Sequence, residues 1–263
     1  IAAGKGGVGK STVSANLAFA LRARGKKVGL LDTDVYGPSM RRMLPEDRLP
    51  EQRGDQLIPA LSYGVELMTM AYFRSDDQAA AIRAPIANGL VTQFLQTVAW
   101  SDLDYLLIDF PPGTGDIQLT LAQKGRISAA LMVTTPQEVA VMDVRKAMDL
   151  FDQVRIPVVG IVENMSYLFD AGNGERNYIF GKGGGERLAR EKGLPLLAEL
   201  PLHPDLSRAA DEGRALPLQN PQHPMSEAFD ALAENLESHM TALEAQRTEG
   251  LGSFELVWQE MAT

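Results

Sequence analysis

Apolar residues follow two rhythms along this chain. Val13, Leu17, Ala20 and Leu21 recur at helical spacing between Gly9 and Arg24, and Gly25 stands where such a helix would stop. Runs at 28–31, 66–70, 105–109, 129–134, 158–162 and 196–200 are instead almost continuously apolar, as strands covered on both faces are. Helical spacing returns between several of them, notably at 86–100 and 139–154. This alternation predicts an α/β class fold, a doubly wound and mostly parallel sheet flanked by helices. Ile1–Ala3 reads as the tail of a strand whose start precedes the sequence.

Near the end the pattern changes. Phe229, Leu232, Leu236, Met240 and Leu243 form one helical face, opposite Asp230, Glu234, Glu237 and Glu244. A membrane-surface helix would carry Lys and Arg there, so this helix is expected to dock on the body of the protein. Phe254, Leu256 and Trp258 then alternate like a half-buried strand, suited to a sheet edge or a partner. Stretches 45–59, 170–185 and 201–224 read as irregular, and none reads as a long linker. One domain is therefore expected over 1–245, with a C-terminal extension at 246–263.

Composition narrows the function classes. The 263 residues are 45% hydrophobic and 22% charged, which excludes disorder as the dominant state. No apolar run is long enough to cross a membrane, so no membrane partner and a cytoplasmic setting are expected. Lys and Arg number 25 against 34 for Asp and Glu, a net charge of −9 and the wrong sign for coating nucleic acid. Cysteine is absent, which removes disulfides, thiolate nucleophiles and Cys-built metal sites. His203, His223 and His239 have no metal-ligand spacing and are expected at the surface or as helix caps.

One segment carries explicit chemistry. Gly4, Lys5, Gly6, Gly7, Val8, Gly9, Lys10, Ser11 and Thr12 satisfy G-x-x-x-x-G-K-[ST], the phosphate-binding loop. Glycines let the backbone curl until its N–H groups face phosphate oxygens, and the following helix adds the positive end of its dipole. Lys10 brings a mobile charge to the β and γ phosphates, and the Ser11 hydroxyl can ligate Mg²⁺. Asp32 and Asp34 follow the second strand, and Asp109 closes another before Phe-Pro-Pro-Gly-Thr-Gly-Asp. Acids at strand ends suit a Mg²⁺ shell or a positioned water beside phosphate. The loop, Asp32–Asp34, 109–115, 134–136 and Asn164 all fall just after proposed strands, hence on one edge of a parallel sheet. The Asn164 amide can read an adenine edge; forming a turn is its rival role.

Lys5 makes the loop unusual, because one phosphate cradle needs no second lysine. The segment Gly-Lys-Gly-Gly-Val-Gly-Lys resembles the deviant P-loop of the MinD, ParA, nitrogenase iron protein and Mrp/ApbC ATPases. Within that group, DTDVYGPS at 32–39, DFPPGTGDIQLTL at 109–121, VTTPQEVA at 133–140, GIVENMSY at 160–167 and IFGKGGGERLA at 179–189 resemble the Mrp/ApbC iron–sulfur cluster carriers. The likeness runs from Gly4 to about Leu236.

The resemblance implies a P-loop NTPase fold, ATP and Mg²⁺ as ligands, slow ATP hydrolysis, and a homodimer in which Lys5 reaches the partner's ATP. It assigns Asp34 to the attacking water, Asp32 and Asp109 to Mg²⁺, Gly113 and the loop through Gly115 to sensing the γ phosphate, and Asn164 to the base. It further implies a 4Fe-4S cluster held on a CxxC pair and passed to apoprotein clients or exchanged with assembly factors. Here Asp170 and Asn173 stand where the two cysteines belong, and neither suits sulfide-bridged iron. Either the cysteines were replaced, or this is a cysteine-free branch, or a partner supplies the ligands. A cysteine-free ATP-dependent dimerisation switch and a MinD/ParA-like positioning ATPase are the alternatives.

Overall fold

The computed structural model describes residues 1–34, 39–73, 84–169 and 175–252. Gly9 sits at φ +80°, a left-handed conformation that costs glycine little, and so turns the chain into α1 (Lys10–Ala23). There follow β1 (Val28–Asp32), α2 (Met40–Met43), the hairpin β2 (Glu51–Arg53) and β3 (Gln56–Ile58), then β4 (Ala60–Ser62) and β5 (Val65–Thr69). A 3₁₀ turn over Met70–Phe73 precedes α3 (Ala84–Thr97), β6 (Tyr105–Asp109), α4 (Asp116–Lys124), β7 (Ala130–Thr134) and α5 (Glu138–Gln153). The remainder is β8 (Val158–Glu163), the two-residue strands β9 (Leu168–Phe169) and β10 (Arg176–Asn177), α6 (Gly184–Lys192), β11 (Leu196–Glu199), α7 (Pro204–Asp211), α8 (Leu216–Gln219) and α9 (Pro224–Gly252).

Strands β4-β5-β1-β6 and β7-β8-β11 form two hydrogen-bonded sets. Ile1–Ala3 joins them: Phe110 N donates to Ile1 O, Ala2 N to Leu131 O, and Val133 N to Ala2 O. Among the described strands every pairing in this sheet is parallel except β4 with β5 at one edge, where Arg48 also bridges Leu61 in antiparallel fashion. The expected doubly wound sheet is what the chain forms. Successive residues of a strand point to opposite faces, so Leu30 enters one core with Leu17, Phe19 and Phe229, while Leu31 enters the other with Phe94, Phe110 and Phe151. That two-sided cover is why the strands read as unbroken apolar runs.

Phe229, Leu232 and Leu236 are buried, and α9 packs along α1, as its apolar face predicts. The helix continues to Gly252, so the boundary expected at 245 falls inside it. The strand expected at Phe254–Trp258 lies outside the described residues. All three stretches read as irregular hold some regular structure, at 170–185 the two-residue strand β10 and the start of α6. In the hairpin β2–β3, β2 is exposed and polar and only Leu57 and Ile58 of β3 are half-buried, so three-residue strands show too little pattern to read. The helices α7 and α8 are short, and their prolines occupy first-turn positions, where the missing N–H is harmless.

Candidate functional site

Parallel pairing delivers the predicted clusters to one edge of the sheet. Asp32 is in register with Thr69 on one side and Asp109 on the other, and Thr134 pairs with Glu163. The loop from Lys5 to Thr12 wraps a cleft of about 220 Å³ whose rim also includes Asp34, Ser39 and Pro112. Gly4 lies so close to α5 that a Cβ would fall 2.1 Å from the Asp143 carbonyl carbon. A side chain there would push the loop off its helix.

At the base of the cleft, Asp109 is fully buried and carries three partners. Lys10 Nζ lies 2.8 Å from Oδ1, Ser14 donates to Oδ1 at 2.6 Å, and Ser11 donates to Oδ2 at 2.7 Å. Lys10 is only 6% exposed, so this ion pair is shielded from bulk water. Asp32 accepts from Thr69 Oγ1 at 2.7 Å and from the Asp34 N–H at 3.0 Å. Burial, then repulsion from Asp109, pushes the Asp32 carboxyl up to about 7, against the pull of those hydrogen bonds. The two acids thus repel each other across the site, with Lys10 acting on both, and further positive charge there would relieve that repulsion. The oxygen donors of Ser11, Asp32 and Asp109 fit a hard cation of the Mg²⁺ kind, which would supply that charge. Ser11 would ligate it, and the two acids would support its water shell.

Lys5 is half-buried at the cleft, where its ammonium can add to the field on a bound phosphate chain. Gly113 takes φ +93° at the start of the loop that leads to α4. Asn164 is buried at the end of β8, and its Nδ2 donates to the Val8 carbonyl at 2.9 Å. A Cβ on Gly9 would lie 2.3 Å from that nitrogen. Asn164 therefore braces the loop, a role the sequence reading did not assign to it. Asp170 and Asn173 lie outside the described residues.

Several contributing residues escaped the sequence reading. Ser14 and Thr69 bind the two acids, Thr33 donates to the Asp109 carbonyl at 2.6 Å, and buried Gln118 donates to Pro111 O at 2.6 Å. Ser14 carried a usable signal, a hydroxyl one turn beyond Ser11 on an otherwise apolar face. The histidines also depart from expectation in one respect. His203 and His223 do cap helices, but they meet each other, with ring centroids 4.8 Å apart.

A family model described as "ParA: NUBPL iron-transfer P-loop NTPase" matches residues 1–237. The iron–sulfur cluster carrier protein of Pseudomonas fragi is 45% identical over 236 residues, 89% of this chain and 82% of that protein. The protein of the same name in Escherichia coli K12 is 43% identical over 91% of this chain, which spans 66% of its length. Among solved structures, a nucleotide-binding protein from Archaeoglobus fulgidus in complex with ADP aligns with a TM-score of 0.74 at 38% identity, covering 87% of this chain and 90% of that one. The cell division ATPase MinD of Pyrococcus furiosus aligns with a TM-score of 0.64 over 90% of this chain and 97% of its own, and at 23% identity speaks to the fold alone. This chain belongs to the ParA/NUBPL family of iron-transfer P-loop NTPases.

Proposed function

We propose that this member of the family is a Mg²⁺-dependent ATPase that drives delivery of iron–sulfur clusters to apoproteins, and that it works as a homodimer closed over ATP. The observation that carries the reading is the buried Lys10–Asp109 pair at the base of a glycine-lined cleft. Asp109 holds Lys10 until a phosphate chain arrives, and the ammonium then has a second anion within reach. Loop amides and Lys10 hold the β and γ phosphates, and Lys5 reaches the partner's nucleotide. Asp34, on the rim, orients the attacking water. Such catalysis is positioning and charge neutralisation, with no covalent intermediate on the protein.

The cluster is cargo in this scheme. Soft, sulfide-bridged iron calls for thiolates, and the chain has no cysteine, so its thiolates belong to the donor and the acceptor. The same absence favours a second reading, in which ATP only switches dimerisation and the docking of a partner.

Lys10→Ala separates these claims. Hydrolysis is expected to fall on the order of 100-fold or more, as when a group that stabilises transferring charge is lost. Unchanged hydrolysis would overturn the ATPase assignment. Cluster transfer from a loaded scaffold to an apoprotein, followed anaerobically by iron absorbance, should accelerate with the unmodified chain and ATP but not with the variant. Normal hydrolysis without acceleration would replace the delivery reading by the switch.

A further inference from the structure

His203 and Asp205 flank the start of α7, and His223 precedes α9 in a separate turn. The fold brings the three together outside the phosphate cleft, none of them lining it. One donor atom from each residue lies within 4.8 Å of the others. His223 Nε2 is 3.3 Å from Asp205 Oδ2, and His203 Nδ1 is 3.9 Å from the same oxygen. Metal–ligand bonds of about 2.0–2.1 Å in a tetrahedron put ligand atoms about 3.4 Å apart, so the first of these distances is already a coordination edge. Arg208 Nη1 holds the other carboxylate oxygen, Oδ1, at 3.0 Å. Asp205 is therefore turned with Oδ2 toward both imidazoles, the kind of outer partner that orients a ligating carboxylate. The rings cross at 79°, which lets two nitrogen lone pairs converge where stacked rings could not.

We propose that His203, Asp205 and His223 bind one first-row divalent ion of the zinc type, with a fourth position open to water. Two imidazole nitrogens and one carboxylate oxygen form a borderline donor set, which favours Zn²⁺ or Co²⁺ over Mg²⁺ or Ca²⁺. Side-chain exposures of 26%, 41% and 13% leave a path for the ion and room for water. Binding has a definite structural cost. Each Nδ1 now accepts a backbone N–H, from Asp205 and from Met225, both at 3.1 Å. A neutral imidazole that gives one lone pair to a metal has none left for a cap, so the ion must release both. Metal binding thereby exchanges two helix caps for one link between the starts of α7 and α9.

The test is calorimetric titration of Zn²⁺ into the chelator-stripped full chain in excess Mg²⁺, with the visible absorption of Co²⁺ reporting nitrogen coordination. One ion per chain is expected. His203→Asn and His223→Asn keep an acceptor able to cap a helix but remove the imidazole. Each should weaken binding on the order of 100-fold or more, since even outer-shell partners cost 10–100-fold. His239→Ala, which alters an exposed histidine elsewhere on α9, should leave it unchanged. Zn²⁺ should also speed amide exchange at Asp205 and Met225. Absence of stoichiometric binding, or binding that survives both Asn variants, would overturn the site. Lys10→Ala should bind Zn²⁺ normally, so this result stands or falls apart from the ATPase reading.

Discussion

Two fully buried carboxylates end strands of the same sheet, Asp109 on β6 and Glu163 on β8, and they are built for different work. Asp109 faces a lysine and two hydroxyls, all on α1. Among the described residues, the hydrogen bonds to the Glu163 carboxylate come from neutral donors, Ser166 Oγ and the Gly185 N–H, each at 2.5 Å. A long lysine can transfer its ammonium to an incoming phosphate, whereas a backbone N–H at the start of α6 cannot leave. Burial at a strand end is thus no mark of function by itself. What distinguishes the two positions is whether the partner can exchange.

The largest effect should follow from breaking the exchangeable pair. Asp109→Asn leaves Lys10 buried without its counter-charge, and about 3–5 kcal/mol of stability should go, the usual cost of orphaning one member of a buried pair. Hydrolysis should fall with it. The double variant Lys10→Ala/Asp109→Asn should regain much of the stability in urea titrations while remaining inactive, a coupling that only a true pair produces. If stability does not recover, the pair does not hold this end of the sheet together.

Asp32 tests the same end through pH. The folded chain holds its proton up to about 7, against a reference value of 3.8. Between those values the unfolded chain has released a proton that the folded chain keeps, so stability falls as pH rises through the window. Without nucleotide or Mg²⁺, the loss should amount to about 2–4 kcal/mol from pH 4 to 8. Asp32→Asn should flatten that part of the curve. Adding Mg²⁺ to the unmodified chain should do likewise if the acid lies within its field. An identical pH profile for variant and parent would show that Asp32 is ionised throughout.

Glu163→Gln should be milder and differently distributed. One carboxylate oxygen becomes an NH₂ group facing a donor, which costs about 1–3 kcal/mol as an unsatisfied buried pair. Hydrolysis should stay within a few-fold. A collapse of hydrolysis at normal stability would erase the contrast with Asp109 and place Glu163 in the nucleotide machinery.

The legibility of the site divides along the same line. The loop from Gly4 to Thr12 could be read because its chemistry is contiguous, and Asp32 and Asp109 because each ends an apolar run. The sheet could be read because burial on both faces removes alternation. Thr69 could not, since its hydrogen bond to Asp32 exists only through the β1–β5 register, which spacing along the chain does not encode. Glu163 too ends an apolar run, but its partner Gly185 reaches it only through the packing of α6 on β8, which spacing along the chain does not encode. His203 and His223, twenty positions apart, converge only through the turns that start α7 and α9. Residues brought together by packing alone leave no local signature.

A third carboxylate completes the series at the smallest scale. Glu237 on α9 accepts from Arg24 Nε at 2.9 Å, and Asp230 takes Nη1 of the same guanidinium at 3.0 Å. The arginine is 26% exposed, so water competes for both anions and salt screens them. The apolar face of α9 already fixes the helix against α1, through Phe229, Leu232 and Leu236. The ion pairs add to a contact that would form without them. Arg24→Ala should therefore cost about 1 kcal/mol or less in urea titrations at low salt, and the difference should shrink toward zero as ionic strength approaches about 1 M. A larger loss that salt does not touch would mean that the arginine acts through its packed stem and not its charge. The ordering Asp109, Glu163, Glu237 would then no longer follow the exchange of charge with water.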